Sequence, residues 1–391
     1  MSRNRFLTIL KFLRFSTPEL AKANAPLSRL GIFMALIKEN CQNLVDPGPV
    51  FAIDEQLMLY KGRLHFRQYI KSKRSRFGIK IFSLCPSKPE LRGYTWNFCI
   101  FIGKYIYDIS HLPGTENLSF SEKIVVYLCQ NLLNSNREVI VDNWYTSVRL
   151  CEFLLTKNTF LTGTIRSNRG VPKDLTLVPL ERQQSCFVRK DMLLLVRYKD
   201  KKDVYLLTSK HTAGFCKKER YVVGGNVIYY NKPKHIEFYN QNMGSVDAVD
   251  QDIEPYSPLR KSYTWFTKIG THLLHLVIEM LLNSRVFYSQ AHQNKVSMYK
   301  YTKLCCRGIL LKYSKGYKEM DDKKNQPTTS SKKPLHAMAD FPREVGKKRA
   351  LRKVCVIYKR RGVRKLTRKC CIACPDKPEL CSSEHFRSFH K

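Results

Sequence analysis

Asn242-Met243-Gly244-Ser245-Val246-Asp247-Ala248-Val249-Asp250-Gln251 is the stretch on which the reading of this chain turns. Asp247 and Asp250 stand three apart, so on a helix they share one face. Two carboxylates on one face of a strongly basic chain point to a divalent cation as their counter-charge. Two other acidic stretches have a different setting. Phe51-Ala52-Ile53-Asp54-Glu55-Gln56 and Val139-Ile140-Val141-Asp142-Asn143-Trp144-Tyr145 each carry an Asp directly after a short apolar run of strand character. The pattern predicts one strand ending at Asp54 and another delivering Asp142, each carboxylate at the carboxyl end of a buried strand. The expectation is an α/β frame that brings Asp54, Asp142, Asp247 and Asp250 together around metal ions.

Composition narrows the partners. At 391 residues with 43% hydrophobic content the chain is long and apolar enough for a buried core and more than one domain. Its formal net charge of +37 repels itself unless a polyanion neutralises it, and the expected polyanion is nucleic acid. A membrane role is disfavoured, because the longest apolar run, residues 273–282, is interrupted by His275 and Glu279 and is too short to span a bilayer. Lys11 and Arg14 break the N-terminal apolar run, so no signal peptide is expected. The fourteen cysteines are therefore assigned to a reducing compartment. Those from Cys41 to Cys306 have no pairing rhythm and read as buried thiols, whereas those after residue 354 cluster as metal ligands would.

Outward from the acidic stretches, residues 1–45 read as helices, closed by the turn Asp46-Pro47-Gly48-Pro49. Strands are expected at 77–84 and 94–102, with Lys61-Gly62-Arg63 and Lys71-Ser72-Lys73-Arg74-Ser75-Arg76 as a basic loop suited to phosphate contacts. Ser121 is placed as the cap of a helix running to 133, before the strand 138–141 and a helix over 146–155. Another strand is expected at 160–166. Short strands at 192–198, 204–207, 221–223 and 227–230 form a β-rich insertion ahead of Asp247. The longest helix is predicted over 264–288, with His272 and His275 as packed or surface residues and not ligands. Residues 312–369 are dense in Lys and Arg and include Thr328-Thr329-Ser330-Ser331-Lys332-Lys333-Pro334, the composition of a disordered basic linker.

Phosphoryl transfer with two cations needs carboxylates that share and bracket the metals, and hard oxygen ligands suit Mg²⁺ or Mn²⁺. Asp54, Asp142 and Asp247 in that order, with a β region inserted before the last, is the layout of an RNase H-like nuclease core.

The residues also carry a resemblance. Ile53-Asp54-Glu55-Gln56, Tyr60-Lys61-Gly62-Arg63, Gln68-Tyr69-Ile70, Phe77-Gly78-Ile79-Lys80, Asp142-Asn143-Trp144-Tyr145-Thr146-Ser147, Gly163-Thr164-Ile165-Arg166 and the Asn242 to Gln251 stretch resemble, in order, the piggyBac family of DDE transposases. The resemblance implies Asp54, Asp142 and Asp247 as a catalytic triad with Asp250 assisting the metal. It implies a core over 49–168 and 236–256, interrupted by the insertion 169–235. Residues 1–48 and 257–315 would form a helical DNA-binding and dimerisation domain, followed by a linker over 316–350. A homodimer in the nucleus would act on double-stranded DNA at transposon ends, excising through hairpins and inserting at TTAA.

Residues 351–391 resemble the family's small C-terminal zinc domain. Cys355, Cys371, Cys374, Cys381, His385 and His390 have spacings suited to Zn²⁺. Tyr358 stands where a ligand partner to Cys355 is expected, His385 stands where relatives most often have Cys, and Cys370 is a candidate substitute ligand. The chain also starts among helices that family members precede with a longer region. The alternative reading, a DNA-binding protein without cleavage, rests on Tyr358 and on that short front.

Overall fold

The near-continuous apolar character around Asp54 reflects burial on both faces. In the computed structural model, which describes residues 2–21, 27–71, 73, 76–103, 107–221, 227–254, 264–284, 296–314, 338–340, 352–371, 374 and 376–389, strand β1 (Val50–Leu59) lies inside a nine-stranded sheet. Its other members are β2 (Gln68–Tyr69), β3 (Phe77–Pro86), β4 (Asn97–Ile100), β5 (Glu138–Val141), β6 (Phe160–Thr164), β7 (Ser185–Lys190), β8 (Leu193–Lys199) and β9 (Asp203–Thr208). The order is β2-β3-β1-β5-β6-β9-β8-β7, with β4 also paired to β3. Strands β1, β5 and β6 are mutually parallel, while β3 runs antiparallel to β1 and β4 antiparallel to β3.

Parallel neighbours need crossovers, and two helices supply them on one face. Helix α5 (Phe120–Cys129) precedes β5, and α6 (Val148–Thr156) joins β5 to β6. Phe51 and Ile53 of β1, Phe82 and Leu84 of β3 and Val139 and Val141 of β5 pack there with Ile124, Val125 and Leu128 of α5 and Leu150 and Leu154 of α6. Alternation sends the intervening side chains to the other face. There Met58, Ile79, Ile81 and Cys85 meet Ile37 and Cys41 of α3 (Gly31–Leu44), Val246, Val249 and Ile253 of α9 (Ser245–Ile253), and Ile269, Leu273 and Leu276 of α10 (Trp265–Asn283). His272 and His275 are buried in α10, and burial lowers both ring pKa values, that of His272 to about 4.

The expected elements shift in places. Strand β1 does not end at Asp54: its antiparallel pairing with β3 continues to Leu59↔Gly78. Only the parallel pairing with β5 stops, at Ile53↔Val141, so Asp54 sits where one neighbour ends and the strand itself goes on. The strand expected over 94–102 is paired only over Asn97–Ile100. Ser119, not Ser121, caps α5, because Glu122 is the N3 residue that closes a capping box with it. Strands β7 to β9 are hydrogen-bonded into the main sheet through β6, while β10 (Phe215–Tyr221) and β11 (Val227–Pro233) pair only with each other. The helix predicted over 264–288 is seen as α10 to Asn283; its expected end, like 316–337 and 341–350 of the linker and His390, lies outside the described residues.

The chain divides into two compact units, Met1–Cys305 and Cys306–Lys391. The first holds the sheet and also α1 (Arg3–Phe12), α2 (Pro18–Ala21), α4 (Tyr107–Ser110), α7 (Lys173–Leu177) and α8 (Lys234–Asn242). Helix α11 (Met298–Tyr313) crosses the division. The second holds two short antiparallel pairs: β12 (Met338–Asp340) with β15 (Lys369–Cys371), and β13 (Lys353–Val354) with β14 (Leu366–Thr367). Helices α12 (Val356–Arg360) and α13 (Ser383–Phe389) are also among its described residues. Among the described residues no helix is long and apolar enough to cross a membrane.

Candidate active site

The last parallel pair, Ile53↔Val141, puts Asp54 and Asp142 one residue further on, side by side where the β1–β5 ladder opens. Asp142 begins a turn. Its Oδ1 accepts the Trp144 backbone N–H at 3.0 Å, and its carbonyl accepts the Thr146 hydroxyl at 2.8 Å. Arg169 donates to the Trp144 carbonyl at 3.0 Å and Arg166 to Asn143 Oδ1 at 3.1 Å, so Asp142, Asn143, Trp144 and Thr146 of the turn are all held. Close approach of β6 completes it: a Cβ on Gly163 would lie 2.3 Å from Thr146 Oγ1 and 2.7 Å from the Val141 carbonyl. Only glycine fits there without displacement.

On α9, Asp250 borders the face that Val246 and Val249 pack on the sheet, while Asp247, three residues earlier, is exposed. Gln56, on β1 two residues beyond Asp54, donates to Asp250 Oδ1 at 3.2 Å and accepts from Ser83 at 2.7 Å. Lys73, from the turn between β2 and β3, places Nζ 3.0 Å from Asp247 Oδ1 and 3.9 Å from Asp250 Oδ2. On the opposite face of β1, Glu55 is 3.8 Å from Lys80, whose ammonium lies 4.5 Å from the Trp144 ring and 4.7 Å from that of Phe82. In the sequence, Gln56 and Lys80 stand only as parts of motifs. Lys73 falls in a basic loop suited to phosphate contacts, and nothing in its sequence setting pairs it with an acid 174 positions away.

The electrostatics follow from burial. Burial first, then the charge of Glu55 and of Asp142, pushes the Asp54 carboxyl up to about 8, against the hydrogen bond from Glu55 N–H and the charge of Lys73. Burial raises Asp142 as well. Asp250 rises to about 6, mainly by burial, with Lys73 opposing. Burial works to lower the pKa of Lys73, but the hydrogen bond and charge of Asp247 outweigh it and raise the pKa overall. Buried carboxylates that resist ionisation want a cation, and an all-oxygen donor set suits a hard divalent one. Among the described residues, the one Cys/His/Asp/Glu set of three or more whose ligand atoms all lie within 4.8 Å of one another is Cys355, Cys381 and His385.

In that set His385 Nδ1 lies 3.5 Å from Cys355 Sγ and 3.3 Å from Cys381 Sγ. Burial resists ionisation of Cys355, but the Tyr358 backbone N–H, His385 and further backbone donors bring its thiol down to about 7. Sulfur and imidazole donors that include a thiol lowered to about 7 fit zinc. Tyr358 adds no visible fourth donor; its ring packs edge-on against His385 at 4.8 Å. Cys371 and Cys374 hydrogen-bond with each other and lie outside the set. Cys370 is buried in β15, opposite Ala339 of β12.

The chain is similar to several known proteins. Two human proteins, PiggyBac transposable element-derived protein 3 and the Chimeric ERCC6-PGBD3 protein, are each 25% identical over 293 residues, 71% of this chain. The chain spans about half of the first, 47%, and 26% of the second. A solved structure described as the cryo-EM structure of the piggyBac transposase synaptic complex with hairpin DNA matches 84% of this chain and 65% of its own, with a TM-score of 0.66 and 27% identity. The family described as Transposase IS4 matches residues 1–284, the span that holds all four aspartates. The chain therefore belongs to that transposase family, and within it is piggyBac-like.

Proposed function

We propose that the chain is a DNA transposase whose RNase H-like core cuts and joins DNA strands at Asp54, Asp142 and Asp247, with Asp250 assisting. The observation that carries this reading is the strand order β4-β3-β1-β5-β6 with β1, β5 and β6 parallel, which sets Asp54 beside Asp142 and presents the α9 acids from the same side as Gln56. Asp54, Asp142, Asp247 and Asp250 would hold Mg²⁺ or Mn²⁺. Bound there, such ions would supply activation of the attacking oxygen and stabilisation of the leaving one. The protein's part is positioning: the turn bonds of Asp142 fix one carboxylate and the Gln56 amide orients Asp250.

Double-stranded DNA is the substrate that the charge of +37 favours. Transposon ends, TTAA targets, action as a homodimer and a nuclear location extend the family likeness to this chain. Zinc would be held by Cys355, Cys381 and His385, with Cys371, Cys374 and His390 offering further donors; its part would be to close the small second unit.

Asp142→Asn tests the core directly. The variant should lose Mn²⁺-dependent cleavage of duplex DNA, by about 10²-fold or more, and keep its DNA affinity. Undiminished cleavage by Asp142→Asn would remove Asp142 from the site. Tight binding with no cleavage in the unaltered chain would support the second reading, a DNA-binding protein, which the Lys73 counter-charge on Asp247 and Asp250 favours.

A further inference from the structure

Lys73 places an ammonium among carboxylates that the proposed reaction assigns to a divalent ion. Its Nζ lies 3.0 Å from Asp247 Oδ1 and 3.9 Å from Asp250 Oδ2, and its charge also acts on Asp54. The side chain is 22% exposed, sheltered enough for the pairing to persist yet open to solvent on one side. Its backbone is held at the start of the turn, where Lys73 N–H donates to the Ile70 carbonyl at 3.3 Å and Ile70 N–H to the Arg76 carbonyl at 2.9 Å. Rotation about its own four-carbon stem is the motion that would free the ammonium.

We propose that Lys73 is a placeholder cation: it neutralises Asp247 and Asp250 in the metal-free chain and must leave them before a divalent ion binds. The inference rests on the metal-dependent reading above. An ammonium and a divalent ion both need the carboxylate lone pairs, and at such separations in a partly buried site their like charges exclude simultaneous occupancy. Once displaced, the ammonium seeks another anion. Lys73 lies in the turn preceding β3, beside the exposed Lys71 and Arg76, so the anion whose chemistry fits is a phosphate of the DNA backbone. Metal and DNA binding are then coupled. DNA rewards the swing that metal requires, and by linkage each ligand tightens the other by the same factor. Lys73 acts through Asp247 and Asp250, as a positioning residue.

The test is Mn²⁺ affinity, followed by electron paramagnetic resonance of the free ion, for the full zinc-loaded chain with and without duplex DNA. Asp54→Asn/Asp142→Asn serves to subtract sites elsewhere. In the absence of DNA, Lys73→Met should bind Mn²⁺ ~5-fold or more tightly than the unaltered chain. DNA should tighten Mn²⁺ binding in the unaltered chain and much less in Lys73→Met, while Lys73→Arg keeps both the weak binding and the coupling. Equal Mn²⁺ affinity in Lys73→Met and the unaltered chain, or weaker binding in Lys73→Met, overturns the placeholder role and leaves the metal reading standing. No Mn²⁺ binding in either chain, both melting normally, sinks the metal reading itself. If Lys73→Met fails to fold, Lys73→Gln answers the same question with a polar side chain of similar length.

Discussion

Asp54 has the most uphill ionisation of the candidate site, and its cause is local. It sits inside β1 beside Glu55, faces Asp142 across the opened ladder, and reaches about 8, while Asp250 reaches about 6. In an unfolded chain both carboxyls would titrate near 3.8. Between that value and the folded one, the folded chain holds more protons than the unfolded chain. Stability from these two groups therefore falls as pH rises from about 4 to about 8, because ionisation is costly only in the fold. Divalent metal binds the ionised form and removes the penalty. The expected outcome is that the metal-free chain loses melting temperature between about pH 6 and about pH 8, and that Asp54→Asn loses less. Added Mn²⁺ should raise the melting temperature more at the higher pH. Parallel pH profiles for Asp54→Asn and the unaltered chain would show that Asp54 does not carry the burial penalty assigned to it.

At the scale of elements, Glu122 ties the site to the helices behind it. It accepts the Ser119 backbone N–H at 2.5 Å at the start of α5 and also bonds the Ser147 hydroxyl, the N-cap of α6 that itself accepts from Leu150 N–H at 3.0 Å. Arg149 adds a longer pairing at 3.8 Å. Since Ser147, the N-cap of α6, lies five residues after Asp142, one buried carboxylate fixes two helix starts and the turn between strand and helix. Glu122→Ala should cost about 2 kcal/mol or more, from one lost capping box and a hydroxyl left unpaired. A denaturation midpoint shift well under that amount would mean water replaces the carboxylate without penalty. The same stretch shows what a sequence does and does not disclose. Asp142 after an apolar run and Asp247/Asp250 at helical spacing were readable because local periodicity dictates them. The course of β1 past Asp54 was not: its length depends on β3 pairing through Leu59↔Gly78, a partner distant in sequence. Nor was the capping role of Ser119, which competes with Ser121 two positions later and wins only because Glu122 lies at the right offset. Lys73 and Gln56 became site residues through tertiary contacts across 174 and 194 positions, for which no local pattern exists.

For the whole molecule the governing quantity is charge. A formal +37 distributed over two compact units must be balanced by counterions when the chain is free and by a polyanion when it is bound. The first unit buries or half-buries Asp54, Asp142 and Glu138, and leaves Lys61, Arg63, Arg67, Lys71 and Arg76 toward solvent around β2. The second is too small to rest on a large apolar core, and Cys355, Cys381 and His385 offer it a metal staple instead. A duplex laid on such a surface releases condensed cations for every phosphate neutralised, so affinity should fall linearly in log–log form with added salt. For about six to ten phosphate contacts the loss is ~10³–10⁵-fold between about 50 and about 200 mM salt. Asp142→Asn should show the same slope, since it alters the chemistry and not the phosphate contacts, whereas Lys73→Met should lose roughly one contact from it in the presence of Mn²⁺. A filter-binding or anisotropy titration across that range decides the matter. A flat salt dependence would mean that the basic surface is balanced within the protein or by another partner, and the nucleic-acid reading would fall with it.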